Sequence, residues 1–142
     1  MSEAVTHTRS IADRLRSSPW VAPLAVLAGG FLGSAVRIIV VAATPDSPGR
    51  FPTGTLAVNL FGSLILGFYL ARRERAVSGR WSLQFWAIGA LGSFTTFSAF
   101  SLEVVQLLDV GRATIAAGYV LASTLGGLAA AVLGHRLGSA GR

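Results

Sequence analysis

Trp81–Leu108 reads WSLQFWAIGALGSFTTFSAFSLEVVQLL, 28 residues that carry a single charge, Glu103. A bilayer core about 30 Å thick is crossed by about 20 helical residues, so this run spans a membrane with residues to spare. Its centre is unlike ordinary lipid-facing sequence. From Gly92 to Phe100 (GSFTTFSAF), Ser93, Thr95, Thr96 and Ser98 alternate with Phe94, Phe97 and Phe100. An unpaired polar group in hydrocarbon costs on the order of several kcal/mol. A lone hydroxyl can return to the carbonyl of the preceding turn. A cluster of them beside aromatic rings marks a candidate functional site.

The rest of the chain has the same solvent written into it. Of its 142 residues 13% are charged, where soluble domains carry about 25%. Three more apolar runs are long enough to span: Trp20–Ala43 with only Arg37, Thr53–Ala71 with no charge but with Asn59, and the uncharged Ala113–Gly134. The expected fold is an all-α membrane protein of four transmembrane helices over residues 19–137. A polar tail (1–18) precedes it and a short tail (138–142) follows. The first tail mixes acidic and basic residues, and the run after it is too long for a cleavable signal. The net charge of +6 does not indicate nucleic-acid binding, because the arginines gather where apolar runs end and form no continuous basic face. Absence of cysteine excludes disulfides and thiolate metal sites.

Arginine placement predicts orientation. With four spans, the N-terminal tail, the second loop and the C-terminal tail share one side. Arg9, Arg14, Arg16, Arg72, Arg73, Arg75, Arg80, Arg136 and Arg142 lie there, against Arg50 and Arg112 on the other. The positive-inside rule puts both termini in the cytoplasm of a multi-pass protein of the inner (plasma) membrane.

Small residues predict close helix contacts. Gly29 and Gly33 form a GxxxG pair, and Gly118, Ala122, Gly126, Ala130 and Gly134 recur every four residues in span four. The spacing fits packing within the bundle or between subunits. Four helices cannot enclose a wide pore alone, so an oligomer is expected.

Several intramembrane polar residues need partners. Asn59 fits either interhelical hydrogen bonding or a donor to a pore. Arg37 and Glu103 read as structural, with Arg37 or Arg112 as the partner for Glu103. Tyr119 and Ser123 share a helix face, with Thr124 beside them. Gly89, Gly92 and the Thr95–Thr96 pair weaken a regular helix. A break there frees backbone carbonyls that a cation can satisfy. The positive edges of the Phe97 and Phe100 rings suit a small anion, although the same spacing fits plain core packing.

Together these segments resemble the Fluc (CrcB) family of fluoride channels. The matching pieces are GGFLGSAVR, GTLAVNLFGSLILG, GALGSFTTFSAFSLE and GYVLASTLGG, in the family's order and covering nearly all of residues 26–127. The resemblance implies a protomer whose third helix is broken near its middle. It also implies an antiparallel, dual-topology dimer with two fluoride pores. A structural sodium ion would be held by the backbone carbonyls of Gly92 and Thr95. The pore would be lined by Asn59, Phe97 and Phe100, with Ser98, Ser101, Tyr119 and Ser123 as further hydroxyl groups. Ala99 departs from the family's usual threonine in TTFSTFS. The arginine bias points further, to one fixed orientation and a partner homologue of opposite bias. Two other readings are weaker. A small multidrug exporter needs an acidic residue deep in span one, where this chain has only Arg37. A non-conducting assembly subunit leaves Asn59 and the Thr-Thr-Phe cluster without a role.

Overall fold

Helices account for nearly all of the residues 18–44, 49–73 and 80–140 that the computed structural model describes, and no strand occurs among them. Residues 1–17, with most of the N-terminal tail, and Arg75 and Arg142 lie outside the described residues. The elements are α1 (Val21–Ala43), α2 (Thr53–Arg73), α3 (residues 80–94), α4 (Phe97–Asp109) and α5 (Ala113–Ser139). Four stretches are long and apolar enough to cross a membrane: Val21–Ala43, Thr53–Arg73, Leu83–Asp109 and Ala113–Ser139. Their outer faces carry large apolar side chains in the open, such as Leu27 at 72%, Phe31 at 80% and Leu128 at 66% exposure. That surface belongs in hydrocarbon.

The ends follow local chemistry. Thr44 closes α1 by turning its hydroxyl back to the Val40 carbonyl at 3.0 Å. Pro52, which has no N–H to lose, stands just before α2. Gly111 takes φ 73° after α4, a conformation that suits glycine. There the Arg112 N–H reaches the Leu107 carbonyl at 2.8 Å and closes the turn into α5.

Packing pairs α1 with α3 and α2 with α5, far more extensively than it pairs consecutive spans. A methyl group on Gly29 or Gly33 would run into the carbonyls of Phe85 and Ala90 on α3. On the other pair, one on Gly67 would meet the Ala131 carbonyl, and one on Gly134 the Leu64 carbonyl. These glycines thus serve the chain's own bundle, by letting backbones touch where lipid offers no hydrophobic drive. Gly118 differs, with nothing within 4 Å of an added methyl. The stripe in α5 is therefore used at its far end and open at its start.

Two features lie beyond the sequence reading. α5 runs on to Ser139, past the apolar run that ends at Gly134, and Gly138 packs closely on the Phe68 carbonyl and the Ala71 side chain. Within α3, Leu83–Leu91 is π-helical, between short α-helical pieces at Arg80–Ser82 and Gly92–Phe94. Each π turn holds an extra residue, and such turns are rare. This one lies directly before the polar cluster.

Candidate functional site: a clamped gap between spans two, three and four

Helical geometry stops at Phe94 and resumes at Phe97. Thr95 (φ −75°, ψ 156°) and Thr96 (φ −146°, ψ 125°) are extended. The Thr95 hydroxyl donates to the Leu91 carbonyl at 3.0 Å, which ties the last turn down. Asn59 then clamps the next peptide. Its Oδ1 accepts from the Thr96 N–H at 2.8 Å, and its Nδ2 donates to the Thr96 carbonyl at 3.0 Å. The side-chain amide pairs with the backbone as a neighbouring strand would. Gly62, one turn further along α2, leaves the room that the Thr95 methyl fills.

Thr96 also opens α4, its Oγ1 accepting from the Ala99 N–H at 3.2 Å. In a continuous helix, the N–H groups of Thr96 and Ala99 would serve the carbonyls of Gly92 and Thr95. Both donors are engaged elsewhere. The two carbonyls are thereby left needing other donors or a cation, a setting that fits a hard cation bound by backbone oxygen.

Beside the clamp lies a cavity of about 300 Å³. Asn59, Thr95 and Thr96 form one wall, Phe97 and Phe100 a second, and Ser123 and Thr124 of α5 a third. The rings of Phe97 and Phe100 lie 5.7 Å apart at 39°. An Asn amide has two N–H donors, so one remains after the bond to Thr96. The Ser123 Oγ is buried without a hydrogen-bond partner. No arginine lines this cavity.

Behind Phe100 stands a second polar unit. Glu103 accepts from the Thr55 hydroxyl through Oε1 and from the Tyr119 hydroxyl through Oε2, each at 2.6 Å. The carboxylate is thus held by two hydroxyls and not by Arg37 or Arg112. Tyr119 is 0% exposed. Its ring contacts Phe100 at 5.2 Å and Phe51 at 5.4 Å between centroids. Arg37 lies in α1 with its Nε buried and unpartnered.

The structure thus brings Asn59, Phe97, Phe100 and Ser123 to one cavity, with Gly92 and Thr95 at the gap. Tyr119 stands apart from the cavity wall, behind Phe100. Ser101 donates to the Phe97 carbonyl at 2.9 Å, the ordinary fate of a helical hydroxyl. Ser98 shares a 3.2 Å hydrogen bond with Thr96 at the start of α4. Ala99 contributes its backbone N–H to the cap. Sequence reasoning passed over Thr55. The signal was available, because Thr55 precedes Asn59 by four residues and so shares its face of α2.

A four-span chain with an amide-clamped gap in its third span, and beside it an uncharged cavity lined by amide, hydroxyl and ring groups, defines a class of small helical membrane proteins. Residues 24–135 match the family described as CrcB-like protein, Camphor Resistance (CrcB), and the chain belongs to that family. It is 47% identical over 115 residues to the fluoride-specific ion channel FluC 1 of Halobacterium salinarum, covering 79% of this chain and 92% of that one. It is 44% identical to the fluoride-specific ion channel FluC of Thermus thermophilus, over 82% of this chain and 94% of the relative. The FluC of Oceanobacillus iheyensis is 39% identical over 80% of this chain and 88% of its own length.

Proposed function

We propose that this chain is a protomer of a fluoride-selective channel that lets fluoride leave the cell passively and so lowers its cytoplasmic concentration. The observation that carries the reading is the donor set of the cavity. The remaining Asn59 N–H, the unpartnered Ser123 hydroxyl and the Phe97 and Phe100 rings surround it, with no cation in the wall. Fluoride is small and strongly hydrated, so a selective path must replace its water with close donors. Conduction also needs release, and a full positive charge would hold the ion too tightly. Neutral donors and ring edges satisfy both demands. No bond is made or broken, so the protein needs no catalytic group.

In this reading a sodium ion, structural and not transported, sits on the carbonyls of Gly92 and Thr95, whose helical donors are diverted. The working unit is an antiparallel dimer with two pores, in which the broken third spans of the protomers face each other. Phe97, at 79% exposure in the single chain, suits a surface that a second protomer covers. The arginine bias of nine against two favours one orientation, with both termini in the cytoplasm of the plasma membrane. An oppositely biased homologue then completes the dimer. The test is fluoride efflux from proteoliposomes, read with a fluoride electrode, with and without such a homologue. Selective fluoride efflux supports the reading, and equal efflux of chloride overturns it.

A further inference from the structure

The arginine-rich end of the molecule holds an arrangement that fluoride passage does not use. α2 closes on Arg72 and Arg73. The Arg72 guanidinium carbon lies 5.3 Å from the centroid of the Phe68 ring, and that ring is 39% exposed on the apolar surface. A guanidinium laid on a ring engages its face and leaves its N–H edges free in the plane. Arg73 is next along the helix, and its Nε is buried with no hydrogen-bond partner. Among the described residues neither side chain has a carboxylate. Phe68 and Arg72 form one row along α2, and Tyr69 and Arg73 form the adjacent row. The Tyr69 and Ser82 hydroxyls share a 2.9 Å hydrogen bond, which fixes this end of α2 beside the start of α3.

Arginine near a helix C-terminus is favourable on its own account through the helix dipole. That effect does not explain two adjacent arginines with no carboxylate partner among the described residues, the first of them laid against the half-exposed Phe68 ring. The level in the membrane supplies the rest. Where α2 ends its apolar run, the oxygen-rich layer outside it is the layer of lipid phosphates. Arginine binds phosphate through paired N–H groups, and basic residues next to a span attract anionic headgroups.

We propose that Arg72 and Arg73, with Phe68 as the platform, form a binding site for the phosphate of an anionic phospholipid. The site is separate from the cavity and does not depend on the fluoride reading. Native mass spectrometry of the purified full chain, given phosphatidylglycerol or phosphatidylcholine, tests it. The wild-type protein retains phosphatidylglycerol in preference to phosphatidylcholine. R72Q/R73Q weakens that retention roughly thirtyfold, and R72Q alone, on an exposed side chain, roughly fivefold. R136Q, an arginine at the same membrane end but on α5, leaves it unchanged. Inorganic phosphate in large excess does not displace the lipid. Unchanged retention in both Arg72 variants overturns the site. An equal loss in R136Q reduces it to general surface charge, and displacement by phosphate reassigns it to a small anion; either result overturns the proposal.

Discussion

Asn59 bonds the backbone of Thr96 twice, at its N–H and at its carbonyl, and the two bonds settle what the position tolerates. Aspartate offers only acceptors and would set an oxygen against the Thr96 carbonyl, while glutamine is one methylene too long. N59A leaves a buried N–H and C=O unpaired, at about 1–3 kcal/mol for each. Lower thermal stability in detergent and lost fluoride efflux are the expected pair of results. F97I and F100I separate the two effects. They sharply reduce efflux yet leave the elution profile on size exclusion unchanged, and unchanged transport would remove the rings from the mechanism. Asn59 was legible as a candidate because lipid does not ask for an amide, whereas Phe97 and Phe100, which lipid accepts, stood out only through the pattern that the resemblance supplied. The partners of Glu103 were not. A carboxylate in sequence points to arginine, whereas Thr55 and Tyr119 reach it only through the packing of α2, α4 and α5. Y119F removes one of its two hydrogen bonds, a loss of about 0.5–1.5 kcal/mol in stability, measurable by thermal unfolding.

Among the elements, the glycine contacts separate sharply. G67V and G134V drive a side chain into a backbone carbonyl of the facing helix, which costs about 1–3 kcal/mol or more. G118A meets open space and raises the unfolding temperature slightly, through alanine's better helix propensity. Comparing the three by thermal unfolding in detergent checks the assignment of neighbours. The spacing of four made every small residue of α5 look alike, so which of them touch α2 was not legible before the helices were placed. The π-helical turn before the gap was equally hidden, since LQFWAIGAL is ordinary apolar helix sequence. The gap itself has a local cause, the diversion of the Thr96 and Ala99 N–H groups. If a sodium ion occupies the carbonyls so released, exchanging sodium for a bulky organic cation during purification abolishes efflux, and restoring sodium recovers it. Efflux indifferent to the cation would leave those carbonyls without that role.

For the molecule as a whole, the arginine bias makes the sharpest prediction. Reporter fusions at the C-terminus give a single cytoplasmic signal, and the chain reconstituted alone shows little efflux. Co-reconstitution with a homologue of opposite bias restores it, whereas full activity of the single chain would argue for a homodimer. The four spans themselves were legible from apolar length alone, but their pairing was not, since α1 seats on α3 and α2 on α5. That interleaving has a consequence for how the protein is made. Each span follows in sequence one that is not its main partner. Gly29 and Gly33 of α1 are covered only by α3, which lies beyond α2 in the chain, and Gly67 of α2 only by α5, which lies beyond α3 and α4. Neither close contact can form before the later helix of its pair has been made.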